Sequence, residues 1–323
     1  MHHPFSYHRA TTFSEAAQLL AQPDALAIGG GTDLLVAIEE GIAAPSKVID
    51  LRSVKDADRI EATSDAGLRI GAAARVHDVA THATVRERFP ALAQACEVVG
   101  SPALRHMGTI GGNLCQRPRC WYFRRAIPCL KNGGSDCPAR DGENQYHAIL
   151  DGGPCYIVHP SDPAVALTVL DAELDLIGPH GERTIPISSF YVLPRDRMDL
   201  ETVLRPGEVI RAITLAGTFA GGPQLYRKLM QRGAWDFALA SIAAARRRDG
   251  AIRIALGGVA PRPWRVPESI EEDVASGGLD EDSITALVER ALYDAEPLSK
   301  NGYKIALARS LLRDTIRELS PPA

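Results

Sequence analysis

Six cysteines stand in this chain of 323 residues, and four of them, Cys120, Cys129, Cys137 and Cys155, fall within one stretch of about forty. Cys115 sits just upstream, and Cys96 lies apart. Thiolates bind soft metals and iron–sulfur clusters, so this density is the strongest chemical signal in the chain. The spacing Cys120-x8-Cys129-x7-Cys137-x17-Cys155 has none of the close C-x2–4-C knuckles usual in structural zinc sites. Wide gaps suit a [4Fe–4S] cube, whose irons take thiolates from separate segments. Disulfides would require maturation outside the cytoplasm, because cytosolic thiols stay reduced. The stretch is rich in Gly, Pro, Asn, Asp and Arg and has no sustained apolar period. It is too long and too polar for an ordinary connection, so four thiolates on a metal or cluster are expected to order it. Arg117, Arg119, Arg124 and Arg125 either offset the charge of such a cluster or form solvated surface. Cys96, among Ala and Val, reads as a small buried hydrophobe.

Two glycine elements come next. Ile28-Gly29-Gly30-Gly31-Thr32-Asp33-Leu34 reads as strand end, turn and helix start. Backbone N–H groups in such a turn, with a helix N-terminus behind them, accommodate a pyrophosphate. It is not a G-x-G-x-x-G fingerprint, and a tight turn needing positive φ explains it equally well. Thr109-Ile110-Gly111-Gly112-Asn113 is the second element. Together they suggest one ligand with two anionic groups, or a long dinucleotide. Lys228 and Arg232, ahead of Trp235-Asp236-Phe237, read on their own as a solvated face with a capping Asp.

The elements that must hold these residues alternate helix and strand. Ser14 is predicted to cap a helix whose apolar face includes Ala17 and Leu20. Residues 25–28 read as a buried strand, 34–40 as helix and 47–51 as strand. A second unit starts near Ile60, with a strand at 68–72 and helices from 76 and over 91–99. Beyond the cysteines, 163–170 is apolar and compact. A half-buried strand covers 172–177, a turn follows at 179–181, and another strand runs over 208–213. Gly217 to Pro223 is the clearest linker. Strands at 237–247 and 253–259 and helices at 283–293 and 303–319 complete the chain. Apolar content of 45%, charged content of 24% and a net charge of −4 describe a soluble globular protein and argue against nucleic acid as the main partner. No apolar run is long enough to span a membrane. Met1 to Phe5 shows no basic region followed by an apolar one, so the expected compartment is the cytoplasm, with co-export beside a signal-bearing partner as the alternative.

These elements together resemble, over essentially the whole chain, the FAD-binding subunit of the xanthine dehydrogenase family of molybdenum hydroxylases. The family motif A-G-G-T-D-L-L is similar to Ile28 to Leu35, and T-I-G-G-N-L is matched letter for letter by Thr109 to Leu114. In the family an Asp follows that Asn by about nine positions. Here the corresponding Asp162, in Ser161-Asp162-Pro163, lies 49 positions after Asn113 (162 − 113). The difference is an insertion of about forty residues that holds the four cysteines. Two branches, the flavin subunits of 4-hydroxybenzoyl-CoA reductase and of bacterial periplasmic-type aldehyde oxidoreductases, carry an extra [4Fe–4S] cluster on this loop. The long gap before Cys155 looks more like the aldehyde oxidoreductase branch. Cys115 matches a cysteine that is not a ligand there, which leaves Cys120, Cys129, Cys137 and Cys155 as the implied ligands.

The resemblance implies an α+β fold. A bipartite FAD-binding domain of the PCMH type would have subdomains at 1–57 and 58–217, with the insertion at about 115–157. A C-terminal α/β sandwich of the carbon monoxide dehydrogenase flavoprotein type would follow over 222–323. Ile28 to Leu34 would hold the FAD pyrophosphate. Thr109, Gly112 and Asn113 would make a second contact, and Asp162 would bind the ribose or a nearby polar group. Ile210 would pack on the flavin, and Lys228 would stand beside it in the pattern Lys228, Arg232, Asp236, Ala238. Asn301, Tyr303 and Lys304 resemble the family's C-terminal N-x-Y-K segment. No catalytic acid or base is implied on this chain. A large partner would carry the molybdenum cofactor and oxidise an aldehyde, and a small partner would carry [2Fe–2S] clusters. FAD here would pass electrons to an external acceptor. The rivals are reverse flow toward a 4-hydroxybenzoyl-CoA reductase-type reaction, and a zinc-stapled scaffold without redox function.

Overall fold

A computed structural model describes residues 4–320. Met1 to His3, part of the N-terminal stretch read for a leader, lie outside the described residues. The first unit is a three-stranded parallel sheet of β1 (Ser6–Arg9), β2 (Ala25–Ile28) and β3 (Lys47–Asp50), in the order β1-β3-β2, connected through α1 (Phe13–Leu20) and α2 (Leu34–Glu39). The cap of α1 is Thr12, not Ser14: its hydroxyl accepts the Glu15 N–H at 3.1 Å, and the Glu15 carboxylate takes the Thr11 N–H at 2.7 Å. β2 is an edge strand. Ile28 is buried but Leu26 and Ala27 are exposed, against the expectation of a buried strand, because one side of β2 borders a cavity.

The second unit is an antiparallel sheet ordered β4-β5-β8-β6-β7. It is made of β4 (Ile60–Ala62), β5 (Leu68–Gly71), β6 (Glu173–Gly178), β7 (Gly181–Pro186) and β8 (Val209–Leu215). Between β5 and β6 run the short helices α3 (Val76–Thr81), α4 (Ala83–Arg88), α5 (Pro90–Glu97), α6 (Pro102–Met107), α7 (Ile110–Leu114) and α8 (Trp121–Arg124), then α9 (Asp162–Val169). The compact apolar segment after the cysteines is therefore a helix. Every residue of α9 is buried, because it packs on α5 on one side and on the third sheet on the other. Sequence periodicity could not separate helix from strand in a segment buried all round.

The third sheet, ordered β12-β11-β10-β9, is made of β9 (Gln224–Leu229), β10 (Ala240–Arg246), β11 (Ile252–Gly257) and β12 (Trp264–Arg265). Ala243 and Ala245 of β10 join the core around α9, while Ala240, Ile242 and Ala244 face a separate core with α10 (Glu268–Ser276), α11 (Glu281–Ala291) and α12 (Tyr303–Leu319). A strand buried on both faces reads as a near-continuous apolar run, as residues 242–245 of β10 do.

Residues 115–157 hold only α8 and one turn of 3-10 helix at Leu130–Asn132. Apolar anchoring is nonetheless present: Phe123 is buried, and Ile149 and Leu150 enter the core under α12, their N–H groups bonding the Val259 carbonyl at 2.8 and 3.0 Å. No helix is long and apolar enough to cross a membrane among the described residues.

Candidate functional site

The two glycine elements meet. A Cβ on Gly29 would lie 2.3 Å from Thr109 Oγ1, and one on Gly30 would lie 1.8 Å from the Met107 carbonyl oxygen. Glycine is required at both positions by the approach of residues 107–109, a packing reason beside the ligand and tight-turn readings of the sequence. Gly31 adds a left-handed φ of +76°. In the second element most backbone donors are used: Ile110 and Gly111 bond the carbonyls of Ala74 and Ala72, Gly112 bonds Thr109 Oγ1 at 3.2 Å and Asn113 bonds the Thr109 carbonyl at 2.9 Å. In the first, the N–H groups of Gly30, Gly31, Thr32 and Asp33 find no acceptor among the described residues. Four successive free donors at a turn make a nest of the kind that can take an anion.

The nest opens on a cavity of about 840 Å³, lined by Gly29 to Leu34, Thr109, Gly112, Asn113, Asp162 and Lys228. Most of the predicted binding residues therefore come together. Ile28 does not line it, its side chain being buried under the sheet, and neither does Ile210, which packs in the core around α9. Leu26, Cys115, Trp235 and Phe237 also line the cavity, and Trp235 is 61% exposed. Cys115 thus stands apart from the other loop cysteines, with burial pushing its thiol up to about 12.

Lys228 corrects the reading of a solvated face. Its side chain is 2% exposed and its Nζ lies 2.8 Å from Asp162 Oδ2, with the Val98 carbonyl at 3.2 Å. Tyr226 donates to the other Asp162 oxygen at 2.6 Å. Burial holds the Asp162 carboxyl above its ordinary range, against the opposing pull of Lys228. Ser161, the cap of α9, donates to Asn113 Oδ1 at 2.6 Å and so ties the second glycine element to this pair. Asp236 does cap locally: its carboxylate accepts the Gln231, Arg232 and Phe237 N–H groups.

Asp33 joins the glycine turn to the cysteine segment. Its carboxylate accepts the Arg117 N–H at 2.8 Å and Arg124 Nη2 at 2.7 Å, and forms an ion pair with Arg119 Nη2 at 3.0 Å. Arg117 also pairs with Glu201, and Arg125 is exposed. Arg117, Arg119 and Arg124 thus each pair with a carboxylate.

Cys129, Cys137 and Cys155 are buried and Cys120 is half-buried. The Cys137 and Cys155 thiols contact each other. The hydrogen bond from Cys155, with backbone N–H groups of Tyr156, Ala139 and Arg140, pulls Cys137 down to about 6. Cys120 is pushed up to about 11, chiefly by burial, with smaller contributions from Cys137 and Cys129. Cys120 thus lies within electrostatic reach of Cys129 and Cys137, and Cys137 of Cys155. Among the described residues no three His, Cys, Asp or Glu side chains are set to hold one metal ion. His147 Nε2 lies 3.2 Å from Cys120 Sγ. Sequence reading missed His147 and His159. Both are buried beside a second cavity of about 640 Å³ that shares Arg119, Asp162 and Phe237 with the first and also reaches Cys120.

Residues 3–215 match the family model described as the FAD binding domain in molybdopterin dehydrogenase, and residues 225–319 match the CO dehydrogenase flavoprotein C-terminal domain. The chain is 40% identical over 320 residues to the aldehyde oxidoreductase FAD-binding subunit PaoB of Escherichia coli K12, covering 97% of this chain and 98% of that one. It is 25% identical over 327 residues to the xanthine dehydrogenase FAD-binding subunit of Escherichia coli O157:H7, covering 97% and 95%. The solved carbon monoxide dehydrogenase of Hydrogenophaga pseudoflava superposes with a TM-score of 0.76 at 25% identity, over 99% of this chain and 100% of that one.

Proposed function

This chain belongs to the family of FAD-binding subunits of molybdenum-dependent oxidoreductases, the xanthine dehydrogenase and carbon monoxide dehydrogenase type, and we propose that it is the FAD- and [4Fe–4S]-carrying electron-transfer subunit of an aldehyde oxidoreductase. The observation that carries the reading is a pair of adjoining cavities that share Arg119, Asp162 and Phe237, the first lined by the free N–H nest and the Lys228–Asp162 pair and the second reaching Cys120. The first, of about 840 Å³, suits a dinucleotide-sized cofactor. The Gly30 to Asp33 N–H groups bind the pyrophosphate. Leu26, Trp235 and Phe237 offer exposed apolar surface to aromatic rings. The buried Lys228 ammonium places a fixed positive charge at the wall of the groove. Bound FAD would supply the exchange between two-electron and one-electron carriers.

The four thiols fit a cluster by type and grouping. One zinc with bonds of about 2.3 Å needs sulfurs drawn tightly round a point, whereas four irons accept a wider set. Cys120, Cys129, Cys137 and Cys155 would hold the cluster, and Cys120 would bring it beside the flavin groove. A large molybdenum subunit and a small [2Fe–2S] subunit are the partners of this reading, an external acceptor takes the electrons, and the cytoplasm, where thiols stay reduced, is the compartment. The test is anaerobic addition of an aromatic aldehyde to the co-purified complex while flavin absorbance is followed. Bleaching within turnover time is expected. Flavin that stays oxidised while the molybdenum centre turns over with an artificial dye would overturn the electron-transfer role.

A further inference from the structure

Lys304 is fully buried, and its Nζ donates to two carbonyl oxygens, Tyr146 at 3.0 Å and Gly258 at 2.6 Å. Among the described residues no carboxylate pairs with it, and no charged group helps to hold its proton. It also stands in the first turn of the 17-residue helix α12, where the helix macrodipole is positive and a cation is disfavoured. A buried ammonium at that end of a helix costs several kcal/mol unless an anion lies close by. Burial alone pushes it down to about 7.

Its surroundings point to where the anion belongs. Tyr146 and Gly258 both line the second cavity, and so does Cys120. The residue after Tyr146 is His147, which touches Cys120 Sγ and feels the Lys304 charge. The segment ahead of α12 grips the same stretch of the insertion. Asn301 Nδ2 donates to the His147 and Ala148 carbonyls at 3.1 Å each, and the Lys300 N–H bonds Asn144 Oδ1 at 2.9 Å.

We propose that Lys304 is the charge complement of an anionic iron–sulfur cluster on the cysteine insertion, a positioning residue that raises the reduction potential of that cluster. The inference rests on the cluster reading. A thiolate-ligated cluster gains negative charge on reduction, so a nearby buried cation favours the reduced form.

The experiment is a redox titration of the intact complex, followed by the EPR signal of this chain's cluster, which is assigned by its loss in Cys137→Ser. Lys304→Met is expected to lower the ratio of reduced to oxidised cluster at a fixed poise by on the order of tenfold, and Lys304→Arg to restore it. Asn301→Ala, which loosens the grip and keeps the charge, is expected to lower thermal stability and cluster retention and to leave the potential in place. A wild-type complex whose chain holds no iron or sulfide would overturn both the cluster reading and this inference. A cluster with the same potential in wild type and Lys304→Met would overturn this inference alone. An equal shift in Asn301→Ala would mark the role as packing and also overturn it.

Discussion

Replacing Asp33 by alanine tests whether the glycine turn and the cysteine segment form one unit. The carboxylate accepts two donors from that segment and forms an ion pair with Arg119, and Arg124, its shortest partner, is only 7% exposed. Breaking a buried pair by removing one member costs about 3–5 kcal/mol. The lower end applies, because the Asp33 side chain is 18% exposed and Arg124 keeps Glu40 and the Pro118 and Arg117 carbonyls. Unfolding entropy of about 2.1 cal/mol/K per residue, taken over 323 residues, gives roughly 0.7 kcal/mol per degree. A loss of about 3 kcal/mol therefore lowers Tm by roughly 4 °C if the chain unfolds as one unit. Glu40→Ala removes a single longer contact at 3.3 Å to a more exposed carboxylate, and is expected to cost less than about 1 kcal/mol. Scanning calorimetry of the two variants, with flavin content measured beside it, makes the comparison. Asp33→Ala should also lose flavin. Equal Tm values for the two variants, or an unchanged Tm in Asp33→Ala, would refute the reasoning.

Gly30→Ala should weaken flavin binding more than tenfold in an equilibrium titration, since its Cβ meets the Met107 backbone, while Gly112→Ala, facing only the Thr109 hydroxyl at 2.9 Å, should be milder. Lys228→Met should leave Asp162 buried beside Tyr226 alone and cost about 3 kcal/mol or more in denaturant unfolding, and Asp162→Asn in the same background should recover part of that loss. His159 is held neutral by burial, which lowers it from 6.5 to about 3. The unfolded chain takes its proton first as pH falls, so this stability is full above about 6.5 and drains between there and about 3. His159→Phe should flatten that limb of a stability-versus-pH curve, and a wild-type curve that is flat from pH 7 to 4 would count against it.

That both glycine elements line one cavity was legible because each is a local pattern of residue types, while Asp162 came only with the family resemblance. The burial of Lys228 was not legible: its partner is 66 positions away in sequence (228 − 162), and the packing of β9 against α5 buries it. The pairing of Arg117, Arg119 and Arg124 was hidden because their carboxylates, Asp33 and Glu201, are distant in sequence. Leu26 read as core because an edge strand bordering a cofactor cavity has the composition of a buried one. The anchoring of the insertion through Ile149, Leu150 and Asn301 was hidden for the same reason, since it draws on the distant C-terminal helix.

The central claim is that this one chain holds both a flavin and a four-iron cluster. The direct measurement is flavin, iron, acid-labile sulfide and zinc per chain in anaerobically purified complex, after subtraction of the partner clusters. The account predicts about one FAD with about four irons and four sulfides. FAD accompanied by zinc and no sulfide would contradict the cluster, and intact complex without flavin would contradict the whole.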